Sequence, residues 1–168
     1  MRNAVETYRR FVDFEEQAAV VYLQMASRFS PESPDLSAFW LEMGMQEKQH
    51  AGLLQFCVAE EFFASELPAE SAVQEAQNLL AKLTRRALDP DLSVGDSFEI
   101  AAELETSEIN AIYDRLTTPV HASTYLLRRK IATSLPGHVG ELLQQARKFH
   151  VRAETLAELE RLAARHPR

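Results

Sequence analysis

The chain has 168 residues, 46% of them hydrophobic and 26% charged, with a formal net charge of −7. That balance points to neither a disordered nor a membrane-embedded class, and the negative charge argues against a broad nucleic-acid-binding face. Cys57 is the only cysteine, which excludes an internal disulfide and any thiolate metal site. Five glycines against abundant Ala, Leu, Glu and Gln favour long helices over sheet. The opening residues hold no apolar run of signal-peptide length, and no stretch is long enough to span a bilayer. A single domain over residues 1–168, in the cytoplasm, is the expectation.

In chain order, Asn3 followed by Glu6 has the spacing of a capping box and predicts a first helix from Ala4 to Phe29. Two prolines within Ser30-Pro31-Glu32-Ser33-Pro34 stop it. A second helix follows from Asp35 or Leu36 to Glu60. The connection from Phe62 to Asp91 carries an amphipathic helix of its own, Ala69 to Leu88. A third helix starts after Ser93 and reaches Thr117, where Pro119 blocks extension. A further helical piece, Ser123 to Ser134, ends at Pro136-Gly137, and a fourth long helix is expected from His138 to Ala164. Short, long and intermediate links describe an all-α four-helix bundle with one long helical crossover between its second and third helices.

The apolar stripes of these helices carry misplaced charges. The first reads Tyr8, Phe11, Glu15, Ala18, Tyr22, Met25, Phe29. The second reads Leu36, Trp40, Met43, Glu47, His50, Leu54, Cys57, and the third Phe98, Ala102, Glu105, Ile109, Ile112, Leu116. Residues at such spacing share one helix face, and all of these polar positions fall near their helix midpoints. An unpartnered buried carboxylate costs several kcal/mol, and three together also repel. A divalent ion held by oxygen and imidazole ligands neutralises them economically. Glu47 and His50 lie nearly one turn apart, so both reach a shared ion. Singly, each glutamate also fits a solvated stripe edge, and His50 a hydrogen-bonded core histidine. Their joint register favours metal.

The segments FVDFEEQAAVVYLQMA, FWLEMGMQEKQHAGLLQF and EIAAELETSEINAIYDRL resemble helices of the rubrerythrin branch of the ferritin-like superfamily. The most specific features are Glu15 seven residues before Tyr22, and Glu47-x-x-His50. The resemblance implies a ferritin-like bundle with a carboxylate-bridged di-iron site, reduction of peroxide or reaction with oxygen, and an external electron donor. By its pattern the ligands are Glu15, Glu47, His50, Glu105, Glu108 and His150, with Glu108 able to move as the iron changes oxidation state. One departure stands beside His150. Arg147 occupies the family's helix-four glutamate position, and an arginine stays protonated and ligates nothing. Three inward carboxylates and one inward guanidinium leave two negative charges, enough for one divalent ion, so the second metal position is expected to be weak unless Arg147 faces solvent. The rubredoxin-like tail is absent.

Helix four is ambiguous in phase. Leu142, Ala146, Phe149, Ala153 and Leu156 form its tidier stripe, with His150 at the flank. His121, His138 and His166 fall near helix ends or in links and carry no functional expectation. Tyr22 and Tyr113 are expected to bond a buried carboxylate, and Cys57 to be an inert buried thiol. Phe56, Phe62 and Phe63 are a candidate dimer contact. Two further readings stay open: non-catalytic metal binding or storage, and a metal-free scaffold in which Arg147 pairs with the glutamates.

Overall fold

A computed structural model of the chain describes residues 2–107, 112–113, 116 and 135–165. Glu108, His121, His166 and the helical piece expected at 123–134 lie outside the described residues. Among the described residues there is no strand. The helices are α1 (Arg2–Phe29), α2 (Pro34–Ala59), α3 (Glu70–Ala87), α4 (Val94–Glu105), α5 (Leu135–Lys148) and α6 (Ala153–Arg165). Residues 112, 113 and 116 are helical as well.

Local chemistry sets the ends. Pro34 opens α2 at its first turn, where its missing N–H costs nothing. Ser93 caps α4 by accepting from the Asp96 N–H at 3.1 Å. Asn3 does not precede the first helix as a cap; it lies inside α1, and its carbonyl accepts from Thr7 Oγ1 at 2.9 Å.

The expected single fourth helix does not form. The chain turns at Phe149 and His150 between α5 and α6, and His150 adopts φ 52°. The Val151 N–H bonds the Ala146 carbonyl at 3.2 Å and the His150 N–H that of Arg147 at 3.3 Å. This 6→1 and 5→2 pair is a Schellman closure with His150 in the left-handed position that glycine favours. A side chain there is strained, so His150→Gly is expected to raise stability by about 1 kcal/mol, read as a higher denaturation midpoint.

Cross-helix contacts give the directions. On α1 and α2, Ser37 Oγ donates to the Ala26 carbonyl at 2.7 Å, Lys48 pairs with Glu16 at 3.6 Å, and His50 faces Glu15. As positions rise on α2 they fall on α1, so the two are antiparallel. Gly44 permits their closeness: a Cβ there would stand 3.2 Å from the Ala19 carbonyl oxygen and from Leu23. Arg10 meets Glu70 at 2.6 Å and Arg28 the Pro90 carbonyl at 3.2 Å, so α3 runs with α1. Trp40 packs on Phe98 at 4.9 Å between ring centroids, and Glu47 approaches Glu105, so α4 runs with α2. Gln46 meets Glu141 at 3.4 Å and Lys148 meets Asp35 at 3.2 Å, so α5 opposes α2.

Between these helices lie Tyr8, Phe11, Tyr22, Met25, Leu36, Trp40, Met43, Leu54, Phe98, Tyr113 and Leu142, all buried. Each such side chain stabilises by roughly 1.5–3 kcal/mol through area removed from water. Tyr8 also pins distant segments. Its hydroxyl donates to the Leu116 carbonyl at 2.7 Å and accepts from the Ala64 N–H at 2.8 Å.

Candidate metal centre

The stripes read from the sequence all turn inward, and their polar members go with them. Glu15 is 1% exposed, Glu47 and His50 3%, and Glu105 4%. Antiparallel α1 and α2 bring Glu15 opposite His50, and the parallel run of α2 and α4 brings Glu47 level with Glu105. One more side chain completes the group. His138, in the first turn of α5, is fully buried beside Glu47 and Glu105.

His50 Nδ1 lies 3.0 Å from Glu47 Oε2 and 3.6 Å from Glu15 Oε2. His138 Nδ1 lies 3.7 Å from Glu47 Oε1 and 3.8 Å from Glu105 Oε1. Glu47 thus turns one oxygen to each histidine. Two triads result, Glu15–Glu47–His50 and Glu47–Glu105–His138, each offering one ligand atom per residue within 4.8 Å of the others. Either triad can hold a metal ion.

Electrostatics in the cluster are strained. Burial pushes the Glu47 carboxyl above its usual range, partly offset by its hydrogen bond to His50. Burial opposes a charge on His50, but Glu15 and Glu47 outweigh it and lift its pKa to about 10. His138, desolvated and without a hydrogen bond, falls to about 4. Tyr22 donates to Glu105 Oε1 at 2.7 Å, and burial with the negative charges of Glu105 and Glu47 keeps its phenol protonated. Cys57 is raised to about 11 by burial, which suits an unreactive thiol.

Both Glu15 oxygens and both His138 ring nitrogens are buried without a hydrogen bond. Native interiors seldom leave such groups unmade. The donor set is carboxylate and imidazole, which suits a first-row divalent ion, so the residues fit a metal.

Of the expected ligands, Glu15, Glu47, His50 and Glu105 come together, and Glu108 lies outside the described residues. His150 is not brought to the cluster, because the Schellman turn leaves it exposed at the end of α5. Arg147 does not enter either. Its side chain is 59% exposed and pairs with Glu160 at 2.8 Å. His138, set aside as a link residue, takes the place in the cluster expected of His150. A signal for it was present: His138, Leu142, Ala146 and Phe149 continue one apolar stripe backwards at steps of three and four. Tyr113 packs against His50 with ring centroids 4.6 Å apart. No family model, curated protein or solved structure matches this chain, so its function is argued from the site itself.

Proposed function

We propose that the chain is a ferritin-like four-helix bundle of α1, α2, α4 and α5, and that it is a rubrerythrin-like, iron-dependent oxidoreductase acting on peroxide or oxygen. The helix directions support the fold: α1 and α5 run one way, α2 and α4 the other, and α3 lies in the long crossover between α2 and α4. One observation carries the function. Two carboxylate–histidine triads share Glu47, with Glu15 and His138 left without hydrogen bonds.

Glu15, Glu47, His50, Glu105 and His138 would hold the metal. Iron, when bound, supplies the electrons that an oxidant takes up, and an external donor restores them. The chain's own residues do the rest. The three glutamates supply the negative charge that draws cations into an apolar interior. Tyr22 fixes the orientation of Glu105, and the aromatic packing of Tyr22 on Trp40, centroids 5.8 Å apart, walls the centre from water. Arg147 at the surface removes the basis for a scaffold neutralised by arginine.

The remaining expectations belong to the same proposal: cytoplasmic location and association with a second copy. Among the described residues no helix is long and apolar enough to cross a membrane. Of the three phenylalanines considered for a dimer contact, Phe56 is exposed, whereas Phe62 and Phe63 pack against the core.

Anaerobic ferrous loading followed by peroxide tests the function. The expected result is ferric absorbance in the near ultraviolet that appears with peroxide, disappears on reduction and returns with more peroxide. Stoichiometric binding without turnover would replace the oxidoreductase by a storage role. No binding would leave a metal-free scaffold.

A further inference from the structure

We infer that the two triads bind divalent ions with strongly unequal affinity, so that a weakly held second ion, and hence free ferrous iron, governs whether the centre is complete. The inference rests on the metal-binding reading above and adds a regulation to it.

Its basis is a count of charges. Three carboxylates face the centre among the described residues, Glu15, Glu47 and Glu105, and one of them serves both triads. Arg147, at the surface with Glu160, plays no part. The first divalent ion to enter meets all three carboxylates and leaves one net negative charge. The second meets only that remainder, together with repulsion from the first ion a few ångströms away. In a desolvated site, a difference of two charges at such range is worth at least about tenfold in affinity.

The ligands present are too few to soften this. Glu47 must divide its two oxygens between both positions, at 3.0 Å from His50 and 3.7 Å from His138. His138 is the single imidazole of its triad and makes no hydrogen bond of its own, so nothing in that triad replaces a missing charge.

The consequence for chemistry follows from electron balance. Hydrogen peroxide with two electrons and two protons gives two molecules of water. Each ferrous ion gives up one electron on becoming ferric, so both positions must be filled to complete the reduction in one event. The chain has one cysteine, raised and buried, and no thiolate centre to supply the second electron. Peroxide reduction therefore follows occupancy of the weaker position and rises with free ferrous iron well after the first ion has bound.

Anaerobic titration of the full metal-free chain tests the inference, with ferrous iron and separately with cobalt(II), by calorimetry and by the visible absorption of bound cobalt. Two steps are expected, one equivalent each, with dissociation constants at least about tenfold apart. His138→Ala keeps one step and loses the other, while His150→Ala keeps both. Two equivalents in one step would overturn the inference, and so would a single equivalent at every concentration. Two steps surviving in a folded His138→Ala would also overturn it. No uptake by the wild type at any concentration sinks instead the metal reading on which it stands. The wild-type isotherm decides the main point without any variant.

Discussion

Glu47→Ala is expected to abolish uptake of both ions, a larger loss than any other single substitution in the centre. Glu15 and His50 serve one triad and Glu105 and His138 the other, but Glu47 belongs to both. Removing it deletes the carboxylate oxygen nearest each histidine. The loss also shows in stability. An ion that binds only the folded chain stabilises it by about 2.7 kcal/mol at a hundred times its dissociation constant. For a chain of this size that is a rise of roughly 5–10 °C in melting temperature. Wild type should show this rise and lose it to a chelator, and Glu47→Ala should show none. Glu15→Ala should keep part of it. A Glu47→Ala protein that still melts higher with metal would place the ions elsewhere.

Metal uptake should release one proton from His50 at neutral pH and none from His138. The signs differ because the two rings sit in opposite fields. Burial disfavours charge on both. At His50 the carboxylates of Glu15 and Glu47 outweigh burial and hold its pKa at about 10, so the metal-free ring is charged at pH 7. At His138 burial prevails and the pKa falls to about 4, so that ring is neutral and ready to coordinate. A nitrogen must lose its proton before it binds a metal. Affinity at the Glu15–Glu47–His50 triad therefore rises with pH, by up to about tenfold per unit through the neutral range, until His50 deprotonates near pH 10. Affinity at the other triad is insensitive to histidine protonation there. Calorimetry at pH 7 in buffers of different ionisation enthalpy counts the protons. A count of zero would mean that His50 is already neutral in the metal-free chain.

The all-helical class, the element order and most of the centre were legible in the sequence because the signals were periodic. Glu15, Glu47, His50 and Glu105 each interrupted an otherwise apolar stripe, and all four are buried together. Directions followed from nothing in the sequence; they needed the cross-helix contacts. Helix four failed for a physical reason. Neither glycine nor proline marks the break near His150, because the left-handed turn is made by a histidine under strain and closed by backbone bonds alone. Matching Arg147 and His150 to a familiar pattern assumed a continuous helix, and the turn puts both outside the cluster. His138 was passed over for its nearness to Pro136-Gly137, although it stood four residues before Leu142 in the same stripe. Proline and glycine there lie within the first turn of α5, where proline is tolerated.

The four-residue link between α1 and α2 has a bearing on how the chain folds. Glu15, Glu47 and His50 belong to two helices that form a local hairpin, closed at low entropic cost. The Tyr8–Leu116 pin joins residues 108 apart in sequence and closes later. An ion present during refolding can therefore grip the hairpin while the remaining helices are still undocked. Interactions already made in the transition state act on the folding rate and little on the unfolding rate. The ion in that triad should then speed refolding, whereas the ion that needs His138 should mainly slow unfolding.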